Sequence, residues 1–169
     1  MHVWKSILVK AGAVCIAAGL WLPSIHLFFD VDTTDYRRAE GIPPKARMLA
    51  ERHLAIWRDP ELRERELAGM QKLNPEWDFM SRTYFVLALA NIALRDPAYV
   101  DQACDIIDAI LENTLRIEKE KGPTYFLLGY AKTSPWKMLP ARSQFIDGEI
   151  AIMMAARRFI REDRRYQAP

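Results

Sequence analysis

One stretch near the start of the chain limits what the rest can be, because water does not tolerate it. From Ala11 to Phe29 no side chain carries a formal charge, and with Ile7, Leu8 and Val9 the apolar run reaches ~20 residues, about the length that crosses a bilayer as a helix. A helix also satisfies its own backbone in lipid, so residues 7–29 are expected to span and to make the chain's contact with the bilayer. Lys5, Lys10 and the amino terminus precede the run, while Asp30, Asp32 and Asp35 follow it. The positive-inside rule then puts the N-terminus in the cytoplasm and the remainder outside, in the periplasm of a bacterial cell, with Arg37 and Arg38 working against that orientation.

A cleaved secretory signal is the competing reading. The run is long for one and ends without a small-x-small cleavage site, so it reads as a retained signal-anchor. Val14 stands before Cys15 where lipoprotein processing needs a small residue. Trp21, His26, Phe28 and Phe29 fall toward the outer interface, and Pro23 is expected to kink the last turns.

Residues 1–30 are thus an anchor, 31–43 a linker with the Gly41 breaker and the Pro43-Pro44 pair, and 44–169 one helical domain. Charge is nearly balanced, a formal +2 with 27% charged residues, which argues against a nucleic-acid partner. Cys15 lies inside the apolar run and cannot reach Cys104, and His2, His26 and His53 show no ligand spacing, so neither a disulfide nor a metal or other cofactor is expected.

Ala46, Leu49, Ala50, His53, Leu54 and Trp57 recur at helical spacing and predict a first domain helix from Pro44 to about Arg58. Three boundaries then repeat one device, a capping side chain followed by proline: Asp59-Pro60, Asn74-Pro75 and Asp96-Pro97. They predict a charged surface helix to about Lys72, an apolar helix from Pro75 to Arg95 that should be buried, and an amphipathic helix from Pro97 to about Lys121 covering it from outside. A loop of ~20 residues follows, rich in aromatics and long enough to suggest a function. A last helix runs from about Arg142 to Glu162, apolar nearly all round before it turns basic at Arg157, Arg158 and Arg161.

The order buried, amphipathic, buried predicts an all-α domain of stacked αα-hairpins. The segments Trp77-Asp78-Phe79-Met80-Ser81-Arg82-Thr83, Leu87 to Arg95, and Arg142-Ser143-Gln144-Phe145-Ile146-Asp147-Gly148-Glu149 resemble bacterial membrane-anchored (α/α)-toroid proteins, some of them similar to linalool dehydratase/isomerase. The resemblance covers at most Pro44 to Tyr166 and implies inner helices ringing a central funnel, with a lyase, isomerase or carbohydrate-directed activity. A closed ring of that family needs about twelve helices where this chain supplies about five, so it implies a shortened member, a fragment, or a core completed by another protein or subunit.

Asp78 and Arg82 on one apolar helix, and Arg142, Asp147 and Glu149 on the other, occupy N-terminal ends that point the same way in a hairpin stack. Asp147, Glu149 and Asp78 are the candidate acid and base groups, and burial would raise their pKa. Arg82 and Arg142 would bind a ligand, or else pair with these acids and lock the helices together. Tyr125, Phe126, Tyr130 and Trp136 would line an apolar pocket or fold back as a lid. Asn91 reads as a buried hydrogen-bonding residue between helices, His53 as a half-core histidine, and the arginines from 157 to 165 as a solvated helix end. With no nucleophile motif, metal set or phosphate loop, a scaffold or interaction domain is favoured over the toroid-type enzyme.

Overall fold

The computed structural model describes residues 2–30, 32–133 and 141–167. Among these every regular element is helical, so the all-α expectation is met. Helix α1 (His2–Phe29) contains a 25-residue window, Trp4–Phe28, long and apolar enough to cross a membrane, none of it buried against the rest of the chain. It runs unbroken through Pro23, and Ser24 Oγ donates to the Leu20 carbonyl at 2.6 Å.

The linker is more ordered than its sequence suggests. Asp32 caps a single turn, α2 (Thr33–Tyr36), by accepting from the Thr34 amide at 2.9 Å. Gly41 turns the chain at φ 69°, a left-handed value that glycine adopts freely, and the next residues, Ile42 and Pro43, are buried. Ile42 packs with Ala50 and Ile92, and the Arg95 guanidinium donates to the carbonyls of Arg38 and Gly41 at 2.6 and 3.2 Å. The domain therefore begins before Pro44.

The capping devices work as their chemistry requires. Asp59 accepts from the amides of Glu61 and Leu62 between α3 (Pro44–Arg58) and α4 (Pro60–Leu73). Asn74 does the same for Glu76 and Trp77 at the start of α5 (Pro75–Arg95). Asp96 caps a 3₁₀ turn, Pro97–Tyr99, that leads into α6 (Val100–Lys121). The aromatic connection carries a further short helix, α7 (Gly129–Thr133), and residues 134–140, with Trp136, fall outside the description. Ser143 Oγ accepts from the Ile146 amide to open α8 (Gln144–Ile160), which starts and ends two residues inside the expected bounds.

α5 is the hub. Its Phe79, Val86, Leu89 and Ala93 pack with Leu54 and Trp57 of α3, Ile107, Ile110 and Leu111 of α6, and Ile146, Ile150 and Met153 of α8. Each of the Val, Leu, Ile, Phe and Met side chains among them contributes about 1.5–3 kcal/mol by leaving water. Phe79 meets Phe145 at the starts of α5 and α8, with ring centroids 5.6 Å apart, and Leu94 shares a groove with Phe159 near their ends. The two helices are thus parallel, and α6, pairing Asn113 with Arg82 and Asp108 with Arg157, runs antiparallel behind both.

Burial all round, expected for α5 and α8, is not what the domain provides. α4 has no buried residue, and α3, α4, α6 and α8 leave one side of α5 uncovered. Tyr84 is 65% exposed, Leu94 51% and, on α8, Phe159 75%. Phe145, Ile152 and Phe159 are exposed at helical spacing with Gly148 and Ala155 between them, so one apolar stripe faces outward on α8 beside another on α5.

Candidate functional site

Three polar arrangements and one apolar face are candidates. The first centres on Arg82, 1% exposed, one helical turn after Asp78. Its Nε donates to Asp78 Oδ1 at 2.9 Å, and its Nη1 reaches Asn113 Oδ1 at 2.7 Å and Thr114 Oγ1 at 3.2 Å on α6. The guanidinium also lies 5.6 Å from the Trp57 ring and 5.3 Å from the Phe126 ring, so cation–π attraction supplements the hydrogen bonds. Burial pushes the Asp78 carboxyl above its ordinary pKa while Arg82 pulls the other way. Asp78, Arg82 and Tyr125 border a polar cavity of ≈ 470 Å³ beneath α4, to which Arg63, Glu64 and Arg116 also contribute.

The second arrangement is local to the start of α8. Arg142 holds Asp147 with Nε on Oδ2 at 3.0 Å and Nη2 on Oδ1 at 2.9 Å, in a pair open to solvent. Glu149 is half-buried two residues further on, and neither Asp147 nor Glu149 borders the cavity beside Asp78. The expected arginine pairing therefore exists but does not lock α5 to α8: Arg142 stays within its own helix end, and Arg82 ties α5 to α6. Each arginine takes the carboxylate nearest along its own helix.

The third arrangement is the basic end of α8, solvated as its sequence predicts at Arg161 and Arg165 but not at Arg157. Arg157 is 4% exposed; its Nε and Nη2 grip Asp108 at 2.7 and 3.1 Å, and its Nη1 donates to the Arg161 carbonyl at 2.9 Å. Arg165 closes the network on Asp108 and Asp163, both at 2.7 Å, and Arg161 binds Asp101. Hydrogen bonds from the Arg165 guanidinium, then from the Arg165 amide, hold the Asp163 pKa down at about 2. The signal was present in the spacing, since Ile146, Ile150, Met153 and Arg157 follow one another on a single buried stripe.

Among the described residues of the aromatic connection, Tyr125, Phe126 and Tyr130 do not line one pocket. Phe126 is core, its ring 5.0 Å from Phe79; Tyr125 meets Phe126 edge-on, and the Tyr125 carbonyl accepts from Gln71 Nε2. The exposed Tyr130 donates its hydroxyl proton to Glu76 Oε1 at 2.7 Å, which raises its pKa and pins α7 to the start of α5.

His53 and Asn91 change place as well. His53 is exposed on the wall of a groove of ≈ 490 Å³ between α3 and α5, its ring 5.2 Å from Phe85, and burial by that wall followed by nearby Arg52 lowers its pKa. Asn91, expected to be buried between helices, is exposed on the outer face of α5 and donates Nδ2 to the Leu87 carbonyl at 2.8 Å. Its other side opens on a shallow groove of ≈ 400 Å³ between α5 and α8, floored by Ala90 and Ala156 and rimmed by Leu94, Ile152 and Phe159.

These features define a helical domain carried behind a helix of membrane-spanning length. No protein-family model, curated protein or solved structure matches the chain.

Proposed function

We propose that this is a single-pass membrane protein whose helical domain lies outside the cytoplasm and binds a further helical unit, acting as an interaction or scaffold domain. The observation that carries the proposal is the outer face of α5 and α8, where Tyr84, Leu94, Phe145, Ile152 and Phe159 stand exposed side by side. A contiguous apolar face of this kind marks an interaction surface. The candidate acids support the same reading: Asp78 and Asp147 each already accept two contacts from an arginine, and they do not share a cavity.

The toroid likeness is compatible with it. Parallel α5 and α8, with α6 antiparallel behind, have the order of inner and outer helices in such a ring, and a partner on the open face would supply what the ring lacks. Lys5 and Lys10 in the first turns of α1, against Asp30, Asp32 and Asp35 after it, favour a cytoplasmic N-terminus.

The test uses the full chain extracted from its own membranes in mild detergent and run on native gels. The proposal expects a species larger than the monomer that Ile152→Glu or Leu94→Glu abolishes without loss of helical circular dichroism. A monomer indifferent to both substitutions overturns it. A reporter fused after Pro169 that is active only in the cytoplasm overturns the orientation.

A further inference from the structure

We infer that the groove between α3 and α5 binds one long-chain fatty acid, its carboxylate on Arg95 and its hydrocarbon chain laid along α5 toward Ser81. The inference goes beyond the interaction reading and takes from it only that α1 holds the domain beside a bilayer. The groove lies on the α3 side of α5, away from α8.

Shape selects the chain. The groove follows α5 from Arg95 back to Ser81, a length of ~21 Å. Its ≈ 490 Å³ spread over that length leaves a cross-section of about 23 Å², so it is roughly 5 Å wide. A helix, ~10 Å or more across, does not enter it. A hydrocarbon chain does, because packed carbons need only about 4 Å between centres. The acyl chains of one leaflet extend over ~15 Å, half of the bilayer's hydrocarbon core, so a chain of ordinary membrane length fits lengthwise.

The lining agrees with the shape. Ile42, Leu49, Phe85, Ala88 and Ile92 supply the walls, and the hydroxyl and amide among them are already committed. Ser81 Oγ donates to the Asp78 carbonyl at 2.8 Å, and Asn91 Nδ2 to the Leu87 carbonyl at 2.8 Å. A sugar or a nucleotide laid here would give up hydrogen bonds to water and find few in return. An acyl chain arriving from the bilayer stays in apolar surroundings while the groove walls leave water, and that supplies the driving force.

Charge fixes the direction. Arg95 closes one end of the groove, where its Nε donates to the Gly41 carbonyl at 3.2 Å and its Nη2 to the Arg38 carbonyl at 2.6 Å. Those bonds use one edge of the guanidinium and leave the other, formed by Nη1 and the second Nη2 proton, for a bidentate carboxylate. The carbonyls hold the group in place without neutralising it, and the adjacent Asp96 is engaged by Arg47 at 3.6 Å. Arg95 therefore has no carboxylate partner among the described residues. The tether favours the same end: Arg38 follows Phe29 by nine residues, at most ~30 Å of chain, so the carboxylate end of the groove is the end kept within reach of the bilayer.

The experiment uses the full chain in phosphatidylcholine nanodiscs. The probes are palmitic acid carrying a diazirine near the end of its chain and the methyl ester of the same molecule, each photolysed and its adducts mapped by peptide mass spectrometry. Both should label α1 alike, which reports the bilayer, and the acid should label α3 and α5 several-fold more than the ester. Ala88→Trp, which fills the groove from an exposed position midway along it, should remove the label on α3 and α5 while keeping the label on α1 and the helical circular dichroism. Equal labelling of α3 and α5 by acid and ester overturns the carboxylate assignment. Label confined to α1, or unchanged on α3 and α5 in Ala88→Trp, overturns the site and leaves the interaction reading to its own test at Ile152. Absence of label from α1 as well overturns the anchor on which access to the groove depends.

Discussion

Replacing Arg82 by methionine tests whether the buried polar cluster is structural. The substitution keeps a flexible chain of similar length between Trp57 and Phe126 but removes the donors to Asp78, Asn113 and Thr114 and leaves Asp78 with no cation. Breaking a buried pair from one side costs about 3–5 kcal/mol, because the surviving charge remains desolvated. Asp78→Asn in the same chain removes that stranded charge, so the double variant should lose less than Arg82→Met alone, a coupling that a double-mutant cycle reads directly.

Acid should narrow the gap. Burial already raises the Asp78 pKa, and without Arg82 it rises further, so the variant's aspartate is protonated at a higher pH than in the parent. A raised carboxyl pKa favours the folded state below the unfolded value of 3.8 and loses that advantage as pH rises through the folded value, so the penalty of Arg82→Met should be largest near neutrality and shrink toward pH 4. Urea unfolding in detergent, followed by circular dichroism between pH 4 and 7, measures both effects. A penalty below about 1 kcal/mol, the range of exposed ion pairs, would refute the structural role and return Asp78 and Arg82 to candidacy as a site.

The other predictions concern the remaining charges. Arg157→Met should cost about 1.5–3 kcal/mol by chemical unfolding, since it removes the buried donors to Asp108 while Arg165 still neutralises that carboxylate, whereas the same change at exposed Arg116 should cost under about 1 kcal/mol. Asp163 has its pKa lowered to about 2, so its contribution is present above the unfolded value of 3.8 and lost as pH falls through about 2. Asp163→Asn should therefore lower the thermal midpoint modestly at pH 7 and flatten its acid limb in that window. Asn74→Ala should cost about 1 kcal/mol, because two amides at the start of α5 lose their acceptor.

What could be read without coordinates was whatever local chemistry decides. Asp59-Pro60, Asn74-Pro75 and Asp96-Pro97 mark helix starts because capping oxygen and missing N–H act within one turn, and all three boundaries fall where those pairs put them. The all-α class and the long apolar helix at the N-terminus follow from periodicity and length in the same way. Burial of particular charges was harder, because it depends on what a neighbouring helix brings. Arg157 looked like the first of a solvated basic run, yet it continues the stripe of Ile146, Ile150 and Met153 and meets Asp108, which stands between Cys104 and Leu111 on the facing stripe of α6. Asn91 failed in the opposite direction. A helix apolar on every side looks buried on every side, and only the positions of α3, α6 and α8 reveal the face of α5 that nothing in the domain covers.

That uncovered face is the centre of the account, and its solvent accessibility in the native membrane tests it most directly. A cysteine placed at Ile152, in the Cys15→Ala background with Cys104 buried, can be labelled with a membrane-impermeant maleimide in intact membranes and again in the purified, detergent-dispersed monomer. The account expects the thiol to be shielded in the membrane and to react freely in the monomer, while a cysteine at exposed Arg116 reacts alike in both. Equal, rapid labelling of position 152 in both settings would contradict it.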